Sequence, residues 1–169
     1  MRIVLVGMMG SGKSSVGRAL AALTGWPFHD NDELLERATG RTARELASAG
    51  EAVLREAESA ALRAGLALSP PSIVASAAGV VLDGEMRTLL ASEGGVAWLR
   101  ARPATLQQRL KNADDDHRPW LDRDPDAWLR QTDAERAPLF AAIADLVVDV
   151  DDLRPDAAAS RILAAFGRT

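Results

Sequence analysis

Between an apolar run at Arg2–Val6 and a helix-patterned stretch from Ser15 to Leu23, the chain reads Gly7-Met8-Met9-Gly10-Ser11-Gly12-Lys13-Ser14. No other feature constrains the fold as tightly. Its three glycines let the backbone bend until successive N–H groups converge on one anion. Lys13 then reaches the β and γ phosphates of a nucleoside triphosphate, Ser14 offers its hydroxyl to Mg²⁺, and the helix that follows aims its N-terminal dipole at the phosphates. Such a loop works only between a strand and a helix, and the flanks supply both. Ile3, Val4, Leu5 and Val6 suit a buried parallel strand, while Val16, Ala19, Leu20 and Leu23 recur at helical spacing.

Further along, Trp26-Pro27-Phe28-His29 reads as a second strand that delivers the Asp30 carboxylate at its tip. Helical spacing then covers Asp32–Ala38, Thr42–Ala49 and Glu51–Leu66, with Gly40 and Gly50 as breaks and Thr42 with Glu45 as a capping box. Strands are expected at Ser72–Ser76, Val96–Leu99 and Leu146–Val150. Helices are expected at Gly84–Ala91, Pro103–Lys111, Asp126 to about Ala144, and Pro155–Phe166. The polar, acidic segment 112–124 is rich in breakers and reads as a mobile lid. Five strands alternating with helices make an α/β fold, a mostly parallel sheet covered on both faces.

A chain of 169 residues, 47% of them hydrophobic, fills one core, so residues 1–169 are expected to form a single domain. Twenty basic residues against 24 acidic ones leave a net charge of −4, which excludes the basic footprint of a nucleic-acid binder or a membrane-surface protein. No apolar run reaches membrane-spanning length and the N-terminus enters the first strand directly, so a cytoplasmic chain, acting as a monomer, is expected. The absence of cysteine excludes disulfides and thiolate metal sites, and two histidines, His29 and His117, cannot build a histidine-rich one. They read as a strand histidine and a solvent-facing one. Trp26, Trp98, Trp120 and Trp128 read as packing residues, with Trp120 placed to meet a ligand in the lid.

A phosphate loop alone does not separate kinases from switches or ATPases, so the acceptor side must decide. Asp30-Asn31-Asp32, then Gly50-Glu51-Ala52-Val53-Leu54-Arg55-Glu56-Ala57-Glu58, then Arg118-Pro119, then Glu135-Arg136-Ala137-Pro138-Leu139-Phe140 follow the loop in order. Together they closely resemble the shikimate kinase family, over nearly the whole chain. The resemblance implies a three-layer α/β/α P-loop kinase fold with strand order 2-3-1-4-5, acceptor-binding helices over about 31–66, and a lid that closes over ATP. It also implies transfer of the γ-phosphoryl group to a ring hydroxyl of a small cyclic hydroxy acid, with ATP and Mg²⁺ required.

By the same resemblance Gly10, Ser11, Gly12, Lys13, Ser14 and Ser15 hold the phosphates, and Ser14 and Asp30 hold Mg²⁺. Asp32 binds the acceptor hydroxyl and takes its proton, Arg55 and Arg136 grip the acid, and Glu58 orients Arg55. Ala78 and Gly79 meet the acceptor, Arg118 contacts the phosphates, and Arg109 and Pro155 sandwich adenine. Lys13, Asp32 and Arg118 are thus the expected catalytic groups. The residue types suit these tasks. A guanidinium fork grips a carboxylate in bidentate fashion, and phosphoryl transfer needs charge neutralised on one side and a nucleophile oriented on the other. Asp30 and Asp32 have a plainer alternative as helix cap and first-turn acid, as do Pro103–Leu110 and Pro155 as ordinary helix segments.

The chain departs from the family where three successive glycines are usual, carrying Ala77, Ala78 and Gly79. Each added Cβ penalises positive φ, so a different loop path is expected there. Ala47 and Leu54 stand where phenylalanines usually line the acceptor pocket. Two rival readings follow: a kinase for another polyhydroxy or amino-substituted acid, or a nucleotide-binding regulatory module without turnover. The tripeptide Pro119-Trp120-Leu121 resembles gluconate kinases, but that family's motifs after the second strand are missing.

Overall fold

The computed structural model describes residues 1–111 and 124–167. The chain runs β1 (Arg2–Val6), α1 (Lys13–Thr24), β2 (Phe28–Asp30), α2 (Asn31–Thr39), α3 (Ala43–Ala49), α4 (Glu51–Ala67) and β3 (Ser72–Ala75). A 3-10 helix at Val80–Leu82 precedes α5 (Gly84–Glu93), β4 (Val96–Arg100), α6 (Pro103–Lys111), α7 (Pro125–Ile143), β5 (Leu146–Asp149) and α8 (Pro155–Phe166). The expected lid at 112–124, with His117, Arg118, Pro119 and Trp120, lies outside the described residues apart from Asp124. That aspartate caps α7 by accepting from the Asp126 amide.

All five strands pair in parallel in the order β2-β3-β1-β4-β5, as the resemblance implied. Their carboxyl ends therefore share one rim: Val6 leads into the phosphate loop, Asp30 ends β2, and Ala75 pairs with both Leu5 and Asp30. An open parallel sheet binds ligands along such a rim, where the chain changes direction across the sheet. Helices α1 and α8 pack together on one face and α5 and α7 on the other. The central strand β1 has no exposed side chain from Ile3 to Val6, and Trp98 of β4 stacks on Phe140 of α7 at 5.8 Å. A second, smaller apolar cluster of Leu35, Ala43, Leu46, Leu54 and Ala61 ties α2, α3 and α4 to one another.

Element ends differ from the sequence reading where local chemistry is specific. The second strand starts at Phe28 rather than Trp26, because Pro27 has no N–H and contributes only its carbonyl, which accepts from Ile73. Helix α1 starts at Lys13, two residues early, since Gly12 at φ 92° already makes the turn. The capping box forms as expected, with Thr42 and Glu45 each bonding the other's backbone N–H. The 3-10 helix was not anticipated. Among the described residues, no helix is long and apolar enough to cross a membrane.

Candidate active site

A cavity of about 480 Å³ opens on the carboxyl rim of the sheet. Gly10, Gly12, Lys13, Ser14 and Ser15 line one side, Asp32, Arg55, Glu58 and Arg136 the other, and Asp30 with the 75–79 segment forms the floor between them. Arg109 closes the phosphate end. Of the residues expected there, Ser11 is instead buried beneath the loop, Pro155 opens α8 away from the cavity lining, and Arg118 lies outside the described residues.

The loop is shaped by its glycines. Gly7, Gly10 and Gly12 all have positive φ, and a Cβ on Gly7 would stand 2.6 Å from the Leu99 carbonyl oxygen. Lys13 donates to the carbonyls of Gly7 and Met8, both at 2.9 Å, so its ammonium is parked on the loop it serves. Burial pushes this lysine down to about 8 against the pull of the Asp32 and Asp30 carboxylates. An ammonium so poorly hydrated gains strongly from a phosphate.

Ser14 donates to Asp30 Oδ2 at 2.5 Å, while Asp30 Oδ1 accepts the Asp32 amide at 3.1 Å and so caps α2. Cap and site residue are thus one side chain using different oxygens. Hydroxyl and carboxylate together are the hard oxygen donors that suit Mg²⁺, which keeps most of its water and takes only one or two protein ligands.

Opposite the loop, α4 and α7 bring two guanidinium groups together. Arg55 donates to Glu58 Oε2 at 2.6 Å and also pairs with the more exposed Glu51 at 3.5 Å. Burial pushes the Glu58 carboxyl up, with Arg55 as the main opposing influence. Arg136 is 7% exposed, and burial followed by the nearby Arg55 charge lowers it to about 10. Its buried Nε has no hydrogen-bond partner among the described residues. Two guanidiniums facing one buried carboxylate leave a positive pocket suited to an acid.

The Ala77-Ala78-Gly79 segment keeps an ordinary backbone path. Among the described residues no non-glycine residue has positive φ, and Gly79 itself sits at φ −86°. Gly79 is nevertheless sterically committed, because a Cβ there would lie 1.8 Å from an Arg55 guanidinium nitrogen. The arginine rests on the glycine. The expectation that positions 47 and 54 line the acceptor pocket also needs correcting. Leu54 has no exposed surface and fills the α2–α4 cluster, against which Ala47 packs.

Sequence reasoning passed over Asn31, which is 1% exposed and donates its amide to the Glu58 carbonyl at 3.3 Å. A polar residue between two site aspartates was the available signal. It also passed over Arg109 as a tie. This guanidinium donates to Val150 O at 2.5 Å and, at 3.4 Å, to Gly10 O and Ser11 O, joining the phosphate loop to the segment after β5.

Comparison with known proteins places this geometry in context. The family model described as shikimate kinase matches residues 9–166. A shikimate kinase of Symbiobacterium thermophilum is 41% identical over 153 residues, covering 89% of this chain and 87% of that protein. One from Moorella thermoacetica is 40% identical, covering 97% and 93%. Among solved structures, shikimate kinase from Acinetobacter baumannii in complex with shikimate superposes with a TM-score of 0.89 at 31% identity, covering 97% of this chain and 91% of that one. Deoxyadenosine kinase from M. mycoides, at 15% identity and TM-score 0.62, shares the fold alone.

Proposed function

The chain belongs to the shikimate kinase family, and we propose that it transfers the γ-phosphoryl group of ATP to a ring hydroxyl of shikimate, giving shikimate 3-phosphate and ADP. The observation that carries this reading is the pairing, in one cavity, of a phosphate loop with the buried guanidiniums of Arg55 and Arg136. A neutral sugar gives such a pair nothing to neutralise. A ring carboxylate does.

In this mechanism Lys13 leaves the Gly7 and Met8 carbonyls for the β and γ phosphates, and the loop N–H groups hold the remaining oxygens. Ser14 and Asp30 would hold Mg²⁺, which neutralises phosphate charge when bound. Arg55 and Arg136 fix the acid, so the ring hydroxyl lies against Asp32. The acceptor oxygen bonds to the γ phosphorus as the bond to the bridging oxygen of ADP breaks, and the hydroxyl proton passes to Asp32 and then to solvent. Ala78 and Gly79 form the acceptor wall beside Arg55. Gly10, Gly12 and Ser15 complete the phosphate cradle, Arg109 lies against the base, and Arg118 supplies charge to the phosphates in the transition state.

The same reading makes 1–169 one domain whose helices over 31–66 are the acceptor-binding unit. It also carries a cytoplasmic, monomeric, magnesium-dependent enzyme without a nucleic-acid partner, which fractionation and sedimentation test. The deciding experiment follows ADP release from Mg·ATP with and without shikimate. Acceptor-dependent release by the wild type, lost in Asp32→Asn, is expected; release no greater than the no-acceptor background overturns the assignment.

A further inference from the structure

We propose that Asn31 is a positioning residue for acceptor binding, setting the separation between Asp32 and the Arg55 guanidinium through the main chain of α4. The inference rests on the acceptor roles of Asp32 and Arg55 given above and adds what holds the two apart at a fixed distance.

Asn31 opens α2 between Asp30, which Ser14 engages, and Asp32, which lines the cavity. Its Nδ2 donates across 27 positions to the carbonyl of Glu58, a group whose second lone pair is available inside the helix. The Glu58 side chain then returns to accept, through Oε2, from Arg55 Nη1 at 2.6 Å. Arg55 in turn lies over Gly79. A chain of contacts therefore runs from the aspartate loop to the acid grip, and Asn31 is its link between α2 and α4. Shared apolar packing holds these helices together, and the hydrogen bond adds a directional tie at one fixed point along them.

The other end of the amide sharpens the point. Asn31 Oδ1 is buried and has no hydrogen-bond partner among the described residues. A buried carbonyl without a partner costs stability, so an apolar residue of similar size would fill this space better. The donor is the part of the side chain that the position uses. A purely space-filling asparagine and a positioning one therefore differ in what Asn31→Leu does.

The test compares the wild type with Asn31→Leu and Asn31→Asp, which keep the branched shape of the side chain and remove the donor. In each folded variant the shikimate KM is expected to rise about fivefold or more while the ATP KM stays within about twofold. Asn31→Leu is expected to melt within about 2 °C of the wild type or above it, since the unpartnered oxygen is gone. If Asn31→Leu fails to fold, Asn31→Asp is read by the same kinetic criteria. In an Arg55→Lys background the Asn31→Asp step should add less than about twofold to the shikimate KM, because the two act through one contact chain. An unchanged shikimate KM in the folded variants, a parallel rise in both KM values, or full additivity with Arg55→Lys overturns the assignment. Wild-type protein assayed alongside separates the two readings. No turnover of shikimate by the wild type defeats the proposed function and this inference with it, whereas wild-type turnover with unaffected variants defeats only the role of Asn31.

Discussion

Gly79 shows how a single position is read one way from its neighbours in sequence and another from its neighbours in space. Beside Ala77 and Ala78 it looks like the remnant of a flexible triplet, yet its φ is unremarkable and its function is to leave room for Arg55. Gly79→Ala is therefore expected to push the guanidinium aside and raise the shikimate KM about tenfold, with the ATP KM little changed, in steady-state assays varying each substrate. Glu58 supplies a pH signature. Its folded pKa is raised by burial, so its contribution to stability is full below the unfolded-chain value and is lost as pH rises through the folded value. For binding the sign reverses, because the ionised carboxylate holds Arg55. The shikimate KM should climb as pH falls through the raised Glu58 value, and Glu58→Gln should show a raised KM without that pH-dependent rise. Asp30 was legible as a cap or as a site residue; the structure uses both of its oxygens, one to cap α2 and one to accept from Ser14.

Helices and strands followed the sequence closely, because the signals that define them act within a few residues. The Thr42–Glu45 box, the left-handed Gly25 and Gly40, and the first-turn prolines of α6 and α8 are all local. Packing between elements is another matter, and Gly17 illustrates it. In the middle of α1 it reads as a weak point, since alanine there would gain about 1 kcal/mol of helix propensity. The structure shows why a glycine stands there: a Cβ at Gly17 would lie 2.2 Å from the Phe28 ring, where α1 crosses β2. Gly17→Ala should destabilise the protein by about 1–3 kcal/mol net in urea denaturation, because overpacking outweighs propensity. Phe28→Leu in the same chain should recover part of the loss.

Taken whole, the molecule places the phosphate loop between β1 and α1 against the arginines of α4 and α7, with β2 and β3 ending between them. Ligands that bind only this assembled state must stabilise it. Mg·ATP at about 100 times its Kd should add about 2.7 kcal/mol, or roughly 5–11 °C in melting temperature for a chain of this size. Calorimetry on Lys13→Ala should show that increment largely gone while the unliganded melting temperature stays near that of the wild type. The loop at Gly7–Ser14, the strand and helix order and the caps were all readable from residue order, since each depends on short-range spacing. The contacts of Gly79 with Arg55, of Asn31 with Glu58, of Gly17 with Phe28 and of Arg109 with two separate loops were not. They join positions brought together by the crossovers of a parallel sheet, and no local pattern records which distant atoms will share a van der Waals surface or a lone pair.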